Sequence, residues 1–304
     1  MRLKTLAAAV ALALAGSNHL AFAQPLLTFR DILALPHDLS AKRITYGSGP
    51  QQFGELWLPQ SPGLRPLIVM IHGGCWRADL PGLELQSPLS EALAAHGWAV
   101  WNIEYRRLGH DGGGYPGTFE DVSQGVDAVR GFAKANRIDL SRVVFMGHSA
   151  GGHLAAWAAG RAKLPTTSAL HRASPLIPSA VVTLAGINDL EAYKDHGPDA
   201  CGGPDTIDGL TAFKPRGQAS YLDTSPPNLL PFDRGQMVIS GSRDPIVPAS
   251  FGEKYGSRAI KAGDPVQVMT IEGAGHFELI DPRSSAWKTL FPLIDALGGL
   301  GARP

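Results

Sequence analysis

The stretch VVFMGHSAGGHLAAW, Val143–Trp157, joins a short apolar run to an alanine-rich segment through Gly147-His148-Ser149-Ala150-Gly151. The apolar run has the character of a strand buried on both faces, and the segment after it that of a helix. A serine between glycines at two-residue spacing marks a sharp strand-to-helix turn, where crowded backbone leaves no room for side chains at the flanking positions. Such a turn strains its serine and lifts the hydroxyl above the sheet edge. Five letters with two free positions arise often by chance, so the strand before and the helix after give the pattern its weight.

An exposed serine hydroxyl is a weak nucleophile until a base takes its proton, and the base needs an orienting carboxylate. On a sheet of this kind both should follow later strands, in the order serine, acid, histidine. VISGSRDPIVP places Asp244 just past one strand pattern, and MTIEGAGHFELI places His276 just past the next. Asp233 precedes its strand and Asp281 follows the histidine, so both fit less well. His148 and His153 flank the serine and are expected to shape its surroundings, and His72 to fix a loop by hydrogen bonds. No HExxH or paired Cys/His spacing points to zinc, so no metal or cofactor is expected. An oxyanion also needs donors. His72-Gly73-Gly74-Cys75-Trp76, directly after the PLIVMI run, supplies Gly73, Gly74 and Cys75, and the helix start supplies Ala150. Trp76 is a candidate wall of the substrate pocket, although a plain core tryptophan fits the same position.

Working outward, strand patterns cover 53–59, 66–72, 98–105, 142–147, 180–186, 236–241 and 266–273. Helix patterns lie between them: SPLSEALAAHG, TFEDVSQGVDAVRGFAKA, the segment after the serine, and SAWKTLFPLIDALGG, where Pro292 should kink the helix or mark its first turn. Thr118 and Asp121 stand at capping-box spacing. This alternation predicts an α/β fold, a mostly parallel central sheet flanked by helices on both faces. Residues 191–233, rich in Gly, Pro and Asp, are too long for an ordinary connection. They are expected as a cap-like insertion over the sheet's carboxyl edge, where open parallel sheets bind ligands.

The 304 residues, 44% hydrophobic and 18% charged, suit one large domain and argue against disorder. Lys+Arg and Asp+Glu both number 27, with no basic stripe to hold nucleic acid. Arg2 and Lys4, the apolar LAAAVALALAG and the small-x-small AFA before Gln24 have the order of an export signal. Residues 1–23 are therefore expected to be a cleaved signal peptide and 24–304 a single periplasmic or secreted domain, with no stable membrane insertion. Cys75 and Cys201 could form a disulfide in that compartment or remain two unrelated buried thiols.

HGGCW, GHSAGGHLAAW, GSRDPIVP and GAGHFELIDP resemble the α/β-hydrolase superfamily. The nearest likeness is to bacterial esterases related to kynurenine formamidases and to small HGG-W carboxylesterases. IEYRRLGHDGGGYPGTFEDV is similar to the segment after the fourth strand in that group, and the likeness runs from about Phe53 to Leu297. The resemblance implies an α/β-hydrolase fold, with Ser149 as nucleophile, His276 as base and Asp244 as acid, the assignment already reached from spacing. It implies hydrolysis of a small-molecule ester through an acyl-enzyme, with aryl-formamidase (amide) activity as the alternative. A non-catalytic binding module on this scaffold commonly lacks one of these groups, and here all are present. Cys75 departs from the glycine or aromatic residue frequent in the group, and residues 191–233 match little in it; both departures bear on the substrate.

Overall fold

A computed structural model describes residues 25–36 and 41–300. The expected signal peptide, residues 1–23, lies outside the described residues. The eight strands are β1 (Lys42–Thr45), β2 (Phe53–Trp57), β3 (Arg65–Ile71), β4 (Ala99–Ile103), β5 (Ile138–His148), β6 (Ala180–Leu184), β7 (Gly235–Gly241) and β8 (Val266–Ile271). They form one sheet in the order β1-β2-β4-β3-β5-β6-β7-β8. β2 runs antiparallel to β1 and β4, and the remaining neighbours pair in parallel. The polarity and order are those of the expected α/β-hydrolase fold.

Successive side chains on a strand point to opposite faces. Leu67 through Ile71 on β3 are all fully buried, so both faces of the sheet are covered at its centre. That double burial explains the near-continuous apolar runs. Flanking helices include Ser87–Ala95, Gly117–Asp127, Ala150–Gly160, Ala249–Ala262 and Ala286–Leu297, the last with Pro292 inside it. Among the described residues no helix is long and apolar enough to cross a membrane.

Seven strands match the sequence reading, but β1 was not expected. Its sequence is KRIT, and all but Ile44 are exposed because it forms the sheet's edge. Arg43 bonds the Glu55 carboxylate across the pair at 2.9 Å, a charged finish that discourages further strand addition.

The expected capping box at Thr118 and Asp121 does not form. The helix starts at Gly117 after Pro116, and both side chains turn to tertiary partners. Thr118 Oγ1 donates to the Arg106 carbonyl, and Asp121 accepts from Arg106 Nε at 2.8 Å and Gln52 Nε2 at 2.7 Å. These longer-range bonds hold the chain that leaves β4.

Residues 191–233 are more regular than their composition suggested. They contain the helices Gly203–Thr211 and Phe213–Arg216 and three short 3₁₀ turns, after a helix, Leu190–His196, capped by Asp189. Their anchors are tertiary. Trp157 Nε1 donates to Asp223 O at 2.8 Å, and Tyr193 Oη donates to Ile246 O at 2.9 Å.

Candidate active site

The turn after β5 carries Ser149 at φ 56° and ψ −124°, a left-handed conformation unusual for a residue with a Cβ. The flanking glycines are required by contact. A Cβ on Gly147 would strike the Gly151 carbonyl, and one on Gly151 would strike the Ile71 and His72 carbonyls. Ser149 N–H donates to Leu184 O at 2.9 Å, while Ser149 O accepts from Gly152 and His153 at the helix start. Strand, neighbouring strand and helix thus fix the strained residue together.

Asp244 follows β7 and His276 follows β8, and their side chains meet. His276 Nδ1 lies 2.7 Å from Asp244 Oδ2. The other carboxylate oxygen accepts from the Ile246 and Val247 N–H groups at 2.8 and 2.9 Å, so the acid cannot swing away from the ring. A proton on Nδ1 leaves Nε2 as the ring's lone-pair nitrogen. The less favoured acids are engaged elsewhere: Asp233 bonds Lys163, and Asp281 bonds Arg283.

Ser149 and His276 line one cavity of about 210 Å³. Gly74, Cys75, Leu80, Pro81 and Leu85 line it from the loop after β3 and its continuation, and Ile246 and Phe277 from the loops carrying the acid and the histidine. His148, Ala200 and Phe29 complete it. Apart from the two histidines the lining carries no ionisable side chain. A larger hollow of about 600 Å³, by Trp57 and Gln60, contains none of these residues.

The loop after β3 turns sharply beside the serine. Gly74, Cys75 and Trp76 have φ values of 97°, 49° and 55°, three left-handed residues in succession. A Cβ on Gly73 would lie 3.1 Å from Ser149 Cβ and 3.0 Å from the His148 carbonyl oxygen, so any side chain there would crowd the turn. Among the described residues the N–H groups of Gly73, Gly74 and Cys75 donate to no backbone acceptor in a turn or loop. Ala150 opens the helix, where the N–H has no intrahelical partner. Cys75 is disulfide-bonded to Cys201, in the 3₁₀ turn next to Ala200.

Trp76 does not line this cavity. It is fully buried and meets His153 edge-on, with ring centroids 5.3 Å apart. Its left-handed backbone accompanies a core position rather than a pocket wall, which corrects the expectation.

The histidines around the serine differ in state. His148 Nε2 donates to His276 O at 3.1 Å; burial, reinforced by His276, pushes its pKa well below the usual value. His153 donates to Thr224 O at 2.8 Å, and burial lowers its pKa to about 4. His72 braces the loop, as expected. Its Nδ1 lies 2.7 Å from the Gly73 carbonyl oxygen and its Nε2 3.0 Å from the Glu104 carboxylate, so the ring links the loop to the end of β4.

Glu104 was missed by the sequence reading. Burial alone would raise its pKa, but His72 and Arg107 outweigh that and hold it at about 2. Arg107 also donates to the Leu80 carbonyl at 2.7 Å, along the cavity's edge. The available signal was an acid ending the apolar run WAVWNIEY. Phe29, Ala200, Ile246 and Phe277 gave no comparable signal, because their approach depends on tertiary folding.

The BD-FAE family model matches residues 55–256, a span that includes Ser149 and Asp244 and ends before His276. The chain is 33% identical over 118 residues to the isoprenylcysteine alpha-carbonyl methylesterase ICME of Arabidopsis thaliana, covering 38% of this chain and 27% of that protein. It is 25% identical over 255 residues to esterase LipQ of Mycobacterium tuberculosis, covering 76% of this chain and 57% of that one. The chain thus spans about a quarter of the first relative and just over half of the second. Among solved structures, esterase B of Lactobacillus rhamnosis superposes with a TM-score of 0.73 at 19% identity, covering 88% of this chain and 90% of that one. Such a likeness speaks to fold, and it agrees with the strand order described above. The chain belongs to the BD-FAE family and has an α/β-hydrolase fold.

Proposed function

We propose that this protein is an exported hydrolase that cleaves carboxylic esters through a covalent acyl intermediate on Ser149. The observation that carries the reading is the shared cavity: Ser149, on its strained turn, and His276, paired with Asp244 at 2.7 Å, line the same space. The esterase names of the relatives support it.

In this mechanism Ser149 Oγ attacks the ester carbonyl carbon as His276 Nε2 takes its proton. The tetrahedral oxyanion is held by the Ala150 N–H and N–H groups of the Gly73–Cys75 loop. The imidazolium, oriented by Asp244, protonates the leaving alkoxide as the C–O bond breaks. Water then attacks the acyl-serine with His276 as base, releasing the acid and restoring Ser149. No step requires a cofactor. The lining favours a neutral ester, since a charged group would lose hydration without a partner.

Export is part of the proposal. The order of charged, apolar and small residues over 1–23 supports it, and a disulfide joining both cysteines of the chain suits an oxidising compartment.

Initial rates on p-nitrophenyl acetate, butyrate and octanoate, with N-formyl-kynurenine beside them, test the activity. Ester cleavage lowered by roughly 10⁴-fold or more in Ser149→Ala is the expected result. Dominant formamide cleavage would replace the ester by an amide substrate, and wild-type rates in the alanine variant would remove the serine mechanism.

A further inference from the structure

Residues 26–35 precede the span that the family model covers, yet they reach the cavity. The short helix Phe29–Leu33 buries Ile32 completely, and Leu35 follows it into the core. Two contacts tie this segment to the turn bearing His276. Leu27 N–H donates to Glu278 Oε1 at 2.8 Å, while Glu278 Oε2 accepts from Gly275 N–H at 3.0 Å. Leu26 packs on Gly275 so closely that an added Cβ would lie 2.9 Å from its methyl carbon. Thus anchored, Phe29 meets Phe277 edge-on, with ring centroids 6.4 Å apart, and lines the cavity with Ser149 and His276.

We propose that residues 26–35 form a specificity strap in which Phe29 bounds the cavity and limits the length of the ester's apolar group. This rests on Ser149 being the nucleophile. A cavity of about 210 Å³ is small enough that one phenyl ring is a large part of its wall. Its apolar lining discriminates by fit rather than by charge. In such a pocket a single methylene alters selectivity by about 10–200-fold, so removing a whole ring should admit longer chains.

The test uses the mature chain and its Phe29→Ala and Phe29→Trp variants. Two ester series are compared: p-nitrophenyl acetate, butyrate and octanoate vary the acyl group, and methyl, butyl and octyl acetates vary the alcohol. In the series whose variable group meets Phe29, the long-to-short ratio of kcat/KM should rise about tenfold or more in the alanine variant. It should fall in the tryptophan variant, which still gives a reading if the alanine variant does not fold. Unchanged ratios in both series, with Ser149 still labelled by a fluorophosphonate, would overturn the strap while leaving the nucleophile intact. A folded wild-type chain that neither cleaves these esters nor labels at Ser149 would overturn both.

Discussion

Cys75, in the loop beside the Ser149 turn, is covalently bound to Cys201, 126 positions further along and adjacent to Ala200 of the cavity wall. The bond ties the loop that carries the proposed oxyanion donors to the helical segment over residues 191–233. Cys75 and Trp76 are non-glycine residues at positive φ, so the surrounding structure must hold the loop in place. Replacing Cys201 by serine should cost about 2–4 kcal/mol in urea denaturation. It should also lower kcat more than it raises KM, because the N–H donors act chiefly in the transition state. A kcat within twofold of wild type would mean that the loop holds its shape without the bond.

The Asp244–His276 contact makes a second prediction. In Asp244→Asn the amide keeps the shape but can present its NH₂ to Nδ1, favouring the wrong imidazole tautomer. Ester turnover should fall by about 10⁴-fold with the fold retained. Steady-state kinetics checks this; a loss below tenfold would remove Asp244 from the mechanism.

Glu104 holds a buried charge between His72 and Arg107, behind the same loop. Its folded pKa, about 2, lies below the ordinary 4.5. Its ionised form therefore stabilises the fold above pH 4.5, and that contribution is lost as the pH falls toward 2. Glu104→Gln should destabilise the protein at pH 7 by about 3–5 kcal/mol, because His72 and Arg107 lose their buried partner. It should also flatten the acid limb of the stability profile. Urea midpoints from pH 7 to 3 read both effects.

The buried His153 acts at milder pH. An unfolded imidazole takes up its proton near 6.5, whereas this one does so only near 4. Between those values the unfolded chain binds more protons, so stability should fall as the pH drops from 6.5 toward 4, at up to about 1.4 kcal/mol per unit. His148 is shifted in the same direction. In His153→Gln the melting temperature should depend less on pH between 7 and 4.5. An unchanged slope would exclude His153 as a source of the dependence.

What the sequence disclosed follows its physics. The central strands were legible because burial on both faces demands continuous apolar runs, and Ser149 because its turn demands glycines. The edge strand Lys42–Thr45 escaped notice because exposure lets it be charged. The helices over residues 191–233 rest on tertiary anchors such as Trp157 to Asp223, which composition does not reveal. Phe29 carries no local sign of its place, since a residue 120 positions before the serine reaches the cavity only after folding. Trp76 misled because adjacency in sequence to the loop did not make it part of the lining.

The central claim, that Ser149 is the nucleophile, is tested most directly by treating the folded mature chain with a fluorophosphonate and mapping the adduct by mass spectrometry. One adduct per chain on Ser149, absent in Ser149→Ala and much slower to form in His276→Ala, is the predicted result. A folded, ester-cleaving protein that carries no adduct on Ser149, or carries it on another residue, would contradict the account.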